Sequence, residues 1–464
     1  MAATLPETGF TGQDTESPSE KGLNRKSLLC ISDSPEAYEQ FIESIKTIPE
    51  TNLLVTTLKV DFQKPQEIIP VIRGRNTDIL LMCISRFTFS FGRLGDAMSD
   101  LNIPIIILSA NKNVILIDAN LAASLRANGA NVKLAISQKQ ALELVKIAAS
   151  PGILEDKRAL LYGRPFDSTS VPAYSLSEEQ VVNSTGVRIL YRPIEELAAL
   201  LNDVDEASAG SEMARWKNEA MEIVQVSDKT ILDACRLYIL LRSIIEKEGL
   251  SAISIDCLSF SMSPKPILPY PCLAFSRLRD EGIAATCEAD VYGMLSLMFL
   301  QEICRKPAFM CNVNSVNVQE STILLSHCTA PLKLHGSNAA PVGYRLHDYH
   351  GFGRGVVPEV EFTLGMEVVA GAFTRDLKSF VSWPGRILGQ AKDTERSSSK
   401  NSITLDVCAN TMDVKIKDAD HFLQNIPGAH LIMIAGNHTN AIEDALFGMN
   451  VSIVGPSDFT PPDV

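Results

Sequence analysis

The sequence lacks several features that would assign it to a particular class of protein. Its longest apolar stretches, such as residues 103–108 and 430–435, are far shorter than the roughly 20 residues that a helix needs to cross a bilayer. No CxxC pair occurs, which argues against a thiolate zinc knuckle or a thioredoxin-like redox site. No GxGxxG motif follows the first predicted strand, so the fingerprint of a dinucleotide-binding domain is also missing.

Basic residues are fewer than acidic residues in this chain. The chain has 42 basic and 55 acidic residues, a net charge of −13 at pH 7, which repels phosphate backbones and predicts no nucleic acid partner. The first two dozen residues have no apolar signal region and contain acidic residues, unlike a mitochondrial presequence, so we expect a disordered tail there. The ten cysteines lack the close spacing of a disulfide framework. These observations predict a cytoplasmic protein without a membrane segment.

What is present is a pattern of alternating strands and helices. A chain of 464 residues is too long to fold around a single hydrophobic core, since cores stop growing near roughly 250–300 residues. Runs such as TDILLMCIS and IPIIILSA are apolar on both faces, as in parallel sheets covered by helices. We predict an α/β protein with two doubly wound parallel-sheet domains followed by a mainly antiparallel β C-terminal domain. The predicted segments are a tail (1–25), a Rossmann-like domain (26–150), a second α/β domain (151–330) and a β-rich domain (331–464).

Polar residues cluster in three segments that lie where an apolar strand ends or a helix begins. These segments are CEADV, LLSHCTAP and IAGNHTN, and they carry Glu288, His327 and His438. Open α/β sheets place their sites at such strand ends, and a carboxylate with two imidazoles can bind a divalent metal. On spacing alone, Glu288 is equally well explained as a carboxylate at a helix N-terminus, and each histidine as a structural side chain.

The order of these segments carries a resemblance. The run CLAFSRLRDEGIAATCEADVYGMLSLMFLQEICRKPAFM, followed by ILLSHCTAPLKL and IAGNHTN, is similar to the catalytic half of the L-fucose/L-arabinose isomerase superfamily, particularly its fucose-isomerase-related proteins. The similarity extends over about residues 159–458. It implies aldose–ketose isomerisation through a cis-enediol on a divalent metal, with manganese as the expected ion.

The resemblance also implies roles for individual residues. Glu288 matches a metal-binding glutamate that serves as acid or base, and His438 matches a metal-binding histidine. Asn437 beside it is then a partner for sugar hydroxyls, and His327 matches a histidine at the metal in the arabinose isomerase branch. Members of the superfamily assemble as trimers or hexamers, so a homotrimer or homohexamer acting on a small sugar is expected.

One position departs from the pattern. Where the family carries a second carboxylate as metal ligand and proton-transfer partner, this chain has Asn312, whose amide can reach a metal but cannot act as a base. Asp290 or Asp256 could take over that role, and so could a thiolate, from Cys311, Cys328, Cys257 or Cys287. The remaining alternative is a catalytically silent sugar-binding or regulatory relative.

Two further residues are candidates for substrate binding. His350 lies in the glycine-rich segment RLHDYHGFGRG, which suits a loop that closes over a polyol or phosphate. Trp383 in SWPGR could stack on the face of a sugar, although a core position explains it equally well.

Overall fold

The computed structural model describes residues 26–48, 53–85, 94–98, 101–109, 112–150, 152–166, 175–261, 263, 265–349, 355–391 and 408–456. The predicted tail lies outside these residues. The chain divides between Ala149 and Ser150 into two compact units. No helix in the described part of the chain is long and apolar enough to span a membrane.

The first unit contains a five-stranded parallel sheet in the order β2-β1-β3-β4-β5. Its strands are β1 (Ser27–Ser32), β2 (Leu54–Lys59), β3 (Ile79–Cys83), β4 (Ile105–Leu108) and β5 (Val132–Ala135). Its helices are α1 (Glu39–Lys46), α2 (Pro65–Arg73), α3 (Leu94–Met98), α4 (Leu116–Ala127) and α5 (Gln138–Ala149). Every residue of β3 and β4 is buried, which is why these runs are apolar on both faces.

The second unit begins with a four-stranded parallel sheet in the order β10-β9-β6-β7. Its strands are β6 (Arg158–Tyr162), β7 (Arg188–Arg192), β9 (Ala252–Ile255) and β10 (Ala284–Thr286). The helices around it are α6 (Glu178–Thr185), α7 (Ile194–Leu200), α8 (Glu206–Glu219), α9 (Asp228–Glu248), α10 (Leu258–Ser261), α11 (Cys272–Asp280) and α12 (Val291–Cys304). The helix α9 begins at a capping residue, since the Ser227 side chain accepts from the Thr230 amide.

The rest of the second unit is mainly antiparallel. Six strands, in the order β15-β18-β11-β12-β17-β16, close into a barrel through the pairing of β15 with β16, and β19 pairs with β16 in parallel. These strands are β11 (Phe309–Asn317), β12 (Thr322–His327), β15 (Glu367–Phe373), β16 (Ser379–Ala391), β17 (Asn410–Ile416), β18 (His430–Ala435) and β19 (Ser452–Val454). The remaining elements are a three-stranded sheet of β8 (Glu222–Val224), β13 (Tyr344–Asp348) and β14 (Val356–Val360), and the helices α13 (Ala419–Gln424) and α14 (Thr439–Gly448).

The predicted fold class is confirmed, with two parallel sheets followed by an antiparallel barrel. The predicted division at residue 330 does not match the sheets, because β11 and β12 precede it in sequence and yet belong to the barrel. The reason is that their apolar sequences read equally well as parallel-sheet strands, and only the partner strands tell the two apart. In the barrel, the end of β12 lies next to the segment that carries Glu288.

Candidate metal centre

Glu288 lies in the turn between β10 and α12, in an unusual backbone conformation. Its φ is +66° and that of Ala289 is +53°, so two consecutive non-glycine residues adopt the left-handed region. Such residues cost about 1–3 kcal/mol each and persist only when their surroundings hold them. Here the Ala289 amide donates to the Ile255 carbonyl at 3.0 Å, and the Phe166 amide donates to the Ala289 carbonyl at 3.1 Å. These two bonds fix the turn that presents Glu288.

The two histidines come from the barrel. His327 is the last residue of β12 and His430 is the first residue of β18, with β11 between the two strands. In the register, Asn312 of β11 pairs with Ser326 on one side and with His430 on the other. The barrel therefore sets the end of β12 level with the start of β18.

Glu288, His327 and His430 form a compact cluster whose potential ligand atoms lie within 4.8 Å of one another. The His327 Nε2 is 3.7 Å from one oxygen of Glu288, and the His430 Nε2 is 3.4 Å from the other. The two imidazole centroids are 5.6 Å apart. The side chains of His327 and His430 are 5% and 1% exposed, and that of Glu288 is 18% exposed. The two imidazoles are thus buried, and the carboxylate is the most exposed of the three side chains.

The donor atoms of this cluster fit a metal ion. Both ring nitrogens of His327, and Nε2 of His430, are buried and have no hydrogen-bond partner among the described residues. Buried polar atoms are nearly always satisfied, and a bound ion would satisfy these. Ligand atoms around a tetrahedral zinc ion lie about 3.3 Å apart, close to the separations measured here. A buried Glu/His/His group that could hold a metal ion is therefore present.

A second carboxylate orients one of the imidazoles. The His430 Nδ1 donates to the Asp290 carboxylate at 2.8 Å, which leaves Nε2 directed at Glu288. Metal-binding histidines usually donate their other nitrogen in this way, because the bond fixes the tautomer and raises the basicity of the ligand. Gly293 leaves room for that carboxylate, since a Cβ there would lie 2.6 Å from an Asp290 oxygen.

The electrostatics of the two imidazoles differ. Burial lowers the pKa of His327 to about 4, so its ring is neutral at neutral pH. Burial also acts to lower the pKa of His430, but the nearby carboxylates of Asp290 and Glu288 outweigh burial and raise that pKa to about 10. Burial acts to raise the pKa of Glu288, and the two histidines outweigh it and hold the pKa below its ordinary value. Glu288 is therefore ionised at neutral pH.

Arg279 ties together the two segments that carry Glu288 and His327. Its side chain is fully buried. Its Nε donates to the Ala285 carbonyl and its Nη1 to the Thr329 carbonyl, both at 2.7 Å. Because Ala285 precedes Glu288 by three residues and Thr329 follows His327 by two, this guanidinium holds both chains at a fixed spacing.

The cysteines near the cluster do not have the character of reactive thiolates. Burial raises the pKa of Cys287 to about 11 and that of Cys257 well above its ordinary value. Burial likewise raises the pKa of Cys311, and a bond to Cys408 together with burial raises that of Cys328. The thiolate alternative needed a depressed pKa and is not supported.

A small cleft of about 10 Å³, which is room for about one water molecule, lies beside His430. Phe166, Tyr292 and Arg375 line it together with residues 427–429. The Phe166 ring centroid is 5.9 Å from that of His430, and the Arg375 guanidinium lies 4.7 Å from the centroid of Tyr292. The cleft combines aromatic faces with one cation next to a candidate ligand.

Two residues chosen from the sequence lie away from this cluster. His438 and Asn437 follow the carboxyl end of β18, whereas His430 begins that strand, so the length of the strand, about 17 Å, separates them. There the His438 Nε2 is 3.0 Å from the Ala435 carbonyl, and Asn437 accepts from the amide and hydroxyl of Thr439. The candidate metal cluster therefore contains His430 and not His438. The physical reason is that the rule of carboxyl ends holds for parallel sheets, and β18 is antiparallel.

The remaining candidates from the sequence are Trp383, His350 and Asn312. Trp383 is fully buried in the core of the barrel, where its indole nitrogen donates to the Lys417 carbonyl, so it has no free face for a sugar. His350 lies outside the described residues. Asn312 lies beside His430, as its pairing requires, with cross-strand Cβ atoms about 5 Å apart.

A weak signal for His430 is present in the amino-acid sequence. His430 is the one polar residue at the start of an otherwise apolar run, HLIMIA, and all six residues of that strand are buried. A histidine that must be buried needs a partner for each nitrogen, which makes it a candidate ligand.

Comparisons with known proteins give a distant and partial similarity. No family model matches the chain. The sulfoquinovose isomerases of Priestia aryabhattai and Priestia megaterium are 20% identical over 243 residues, which is 51% of this chain and 52% of each relative. That of a Clostridium species is 26% identical over 170 residues, covering 36% of this chain and 34% of the relative. The chain spans about half the length of the first two curated relatives and about a third of the length of the third.

Among solved structures, one match is the apo form of a dinucleotide-forming acetyl-coenzyme A synthetase 1 from Ca. Korarchaeum cryptofilum. It has 12% identity and covers 59% of this chain and 65% of that chain, with a TM-score of 0.21. At that score the match carries no argument about the fold.

Proposed function

We propose that this protein is a metal-dependent sugar isomerase that interconverts an aldose and a ketose. The observation that carries the proposal is the buried cluster of Glu288, His327 and His430, with its unpartnered imidazole nitrogens. The similarity to sulfoquinovose isomerases supports the class of substrate, since those relatives act on a sugar. We take Glu288, His327 and His430 as the ligands, with Asn312 beside them.

The chemistry divides between the ion and the chain. A divalent ion, manganese according to the resemblance, would polarise the sugar carbonyl and make the neighbouring C–H acidic. Glu288 is the ionised carboxylate at the accessible side of the cluster. It would take the proton from C2 and return it to C1 while the hydroxyl proton passes from O2 to O1, so no atom is gained or lost. Asp290 stays bound to the His430 ring and holds it in place.

Isotope exchange tests this function. The purified protein is incubated in D2O with candidate aldoses and ketoses, sulfoquinovose included, and deuterium at C1 and C2 is followed by NMR. We expect metal-dependent exchange with at least one sugar. Glu288→Gln keeps the shape of the side chain and removes the base, so exchange should fall by about 10²-fold or more. Glu320→Gln, a change of the same kind at an exposed site, should leave it unaltered.

A second candidate function is sugar binding without turnover. Asn312 favours it, because an amide replaces a carboxylate directly opposite His430. In that case the metal-loaded protein binds sugars in calorimetry without exchanging deuterium, and Asn312→Asp gains exchange. If neither the parent protein nor Asn312→Asp binds a sugar, both the isomerase and the sugar-binding function are contradicted.

The resemblance also leads us to propose a homo-oligomer, a trimer or hexamer, in a reducing compartment such as the cytoplasm. All ten cysteines are free thiols, which suits such a compartment. Light scattering coupled to gel filtration measures the mass of the assembly directly. A monomer of 50.6 kDa would contradict the oligomer.

A further inference from the structure

The identity of the metal follows from the donor atoms of the same cluster. This inference rests on the proposed metal site and departs from the ion that the resemblance predicts. Two of the three candidate ligands are imidazoles, and one is a carboxylate. Imidazole nitrogen suits zinc, iron, cobalt and nickel, whereas manganese and magnesium prefer sites built of carboxylates, carbonyls and water.

The cluster offers a single anionic ligand, because the other nearby carboxylate is engaged. Asp290 accepts from the His430 Nδ1 at 2.8 Å, and Gly293 leaves the space that this oxygen occupies. In the register of β11 and β18, the residue opposite His430 is Asn312, whose amide carries no charge. A hard ion such as manganese would therefore find one negative charge where it prefers two.

The shape of the cluster favours an ion with few ligands. Its imidazoles are buried at 5% and 1% exposure, so little water is available to complete an octahedral shell around them. The donor separations of 3.4 and 3.7 Å are close to those of a tetrahedral zinc site with two histidines and a glutamate. A fourth ligand such as a sugar oxygen would approach from the side of Glu288, whose side chain is the most exposed of the three at 18%.

From these donors we propose that Glu288, His327 and His430 select zinc, or a borderline ion of the same kind, over manganese. Two imidazoles and a single carboxylate set this preference, and the Asn312 amide keeps the anionic charge at one. The bound zinc then has three protein ligands and one exchangeable position, the pattern of catalytic zinc sites. The preference belongs to the folded chain and is measurable without any substrate.

Metal competition tests the proposal on the full chain. Tag-free protein is stripped with a chelator, incubated with equal concentrations of zinc and manganese, desalted, and analysed for both metals by mass spectrometry. We expect about one zinc per chain, at least tenfold more zinc than manganese, and a higher melting temperature with zinc alone than with manganese alone.

Exchange of one donor should shift the preference. His327→Asp replaces a nitrogen by a second carboxylate, so the ratio of bound zinc to bound manganese should fall at least tenfold. His335→Asp makes the same change at an exposed histidine and should leave the ratio unaltered. Should His327→Asp fail to fold by circular dichroism, Asn312→Asp adds the carboxylate while both imidazoles stay, and the ratio should fall in the same direction.

The outcomes separate this inference from the proposed function. Retention of manganese equal to or above that of zinc in the parent protein would overturn the zinc preference and leave the metal-dependent isomerase standing. A ratio of bound zinc to bound manganese that is identical in the parent and in a folded His327→Asp variant would remove His327 as a ligand and overturn the proposed donor set. No stoichiometric metal of either kind would overturn the site, the preference and the isomerase together.

Discussion

At the scale of single residues, the candidate metal centre depends on side chains that touch no metal themselves. Asp290 accepts from His430, and Arg279 bonds the carbonyls on either side of the cluster. Both are buried, so their effects are weakly screened by solvent. Such positioning residues are expected to alter metal affinity without supplying a ligand.

Asp290→Asn tests the first of these roles. The amide can still accept from His430 but carries no charge, so the imidazole becomes a poorer ligand and the metal affinity should fall about 10–100-fold. Competition with a chromogenic chelator measures the affinity. Asp413→Asn, at an exposed carboxylate, is the control, and an unchanged affinity in Asp290→Asn would refute the positioning role.

Asp280 gives the protein a pH dependence that is independent of the metal. Burial raises its pKa from 3.8 to about 6, although the Lys333 amide donates to the carboxylate. The folded state therefore binds the proton more tightly than the unfolded state. The resulting stabilisation is complete below pH 3.8 and is lost as the pH rises through about 6.

Asp280→Asn should remove that dependence. The amide can accept from Lys333 and needs no proton, so the free energy of unfolding at pH 7 should rise by up to about 3 kcal/mol relative to the parent. At pH 4 the difference should be small. Urea denaturation at the two pH values measures both, and a variant less stable than the parent at pH 7 would contradict the assignment.

At the scale of elements, the first turn of α12 is shaped around Asp290. Gly293 lies in that turn, where a Cβ would meet the Asp290 carboxylate at 2.6 Å and the Met310 methyl at 3.4 Å. The carboxylate lies at the start of the helix, where it is also stabilised by the helix dipole. The glycine thus connects the packing of α12 against β11 with the orientation of His430.

Gly293→Ala should lower the free energy of unfolding by about 1–3 kcal/mol, because the added methyl displaces a hydrogen-bonded carboxylate. It should also weaken metal binding in the same direction as Asp290→Asn. The matched control is Gly210→Ala in α8, where nothing lies within 4 Å and alanine should stabilise by about 0.5–1 kcal/mol. Equal effects of the two changes would contradict the steric argument.

At the scale of the whole molecule, the two units have separate cores. The core of the first unit is drawn from residues 29–132, and the two large cores of the second are drawn from residues 154–451. The candidate ligands all belong to the second unit. Independent folding of the second unit is therefore expected.

Residues 150–464 expressed alone should fold and bind metal. We expect a cooperative thermal transition by circular dichroism and a metal affinity within about threefold of the full chain, since no ligand is removed. A fragment that folds but binds no metal would mean that the first unit contributes to the site. The full chain carrying Glu288→Gln serves as the metal-deficient reference.

The local elements and two of the three candidate ligands are predictable from the amino-acid sequence. Apolar runs such as TDILLMCIS predict buried strands because only a covered sheet tolerates them, and Ser227 predicts the start of α9 because its side chain caps the helix. Glu288 and His327 are predictable because they lie at the ends of apolar strands, where polar side chains often form a site.

The third candidate ligand and the full extent of the barrel depend on the packing of strands that are far apart in sequence. His430 joins the cluster because β11 sets the start of β18 level with the end of β12, and sheet register depends on partners far apart in sequence. The same pairing removes His438 by the length of a strand and buries Trp383 in the core. Local patterns predict which residues form a strand, whereas the neighbours of that strand are fixed by packing over the whole unit.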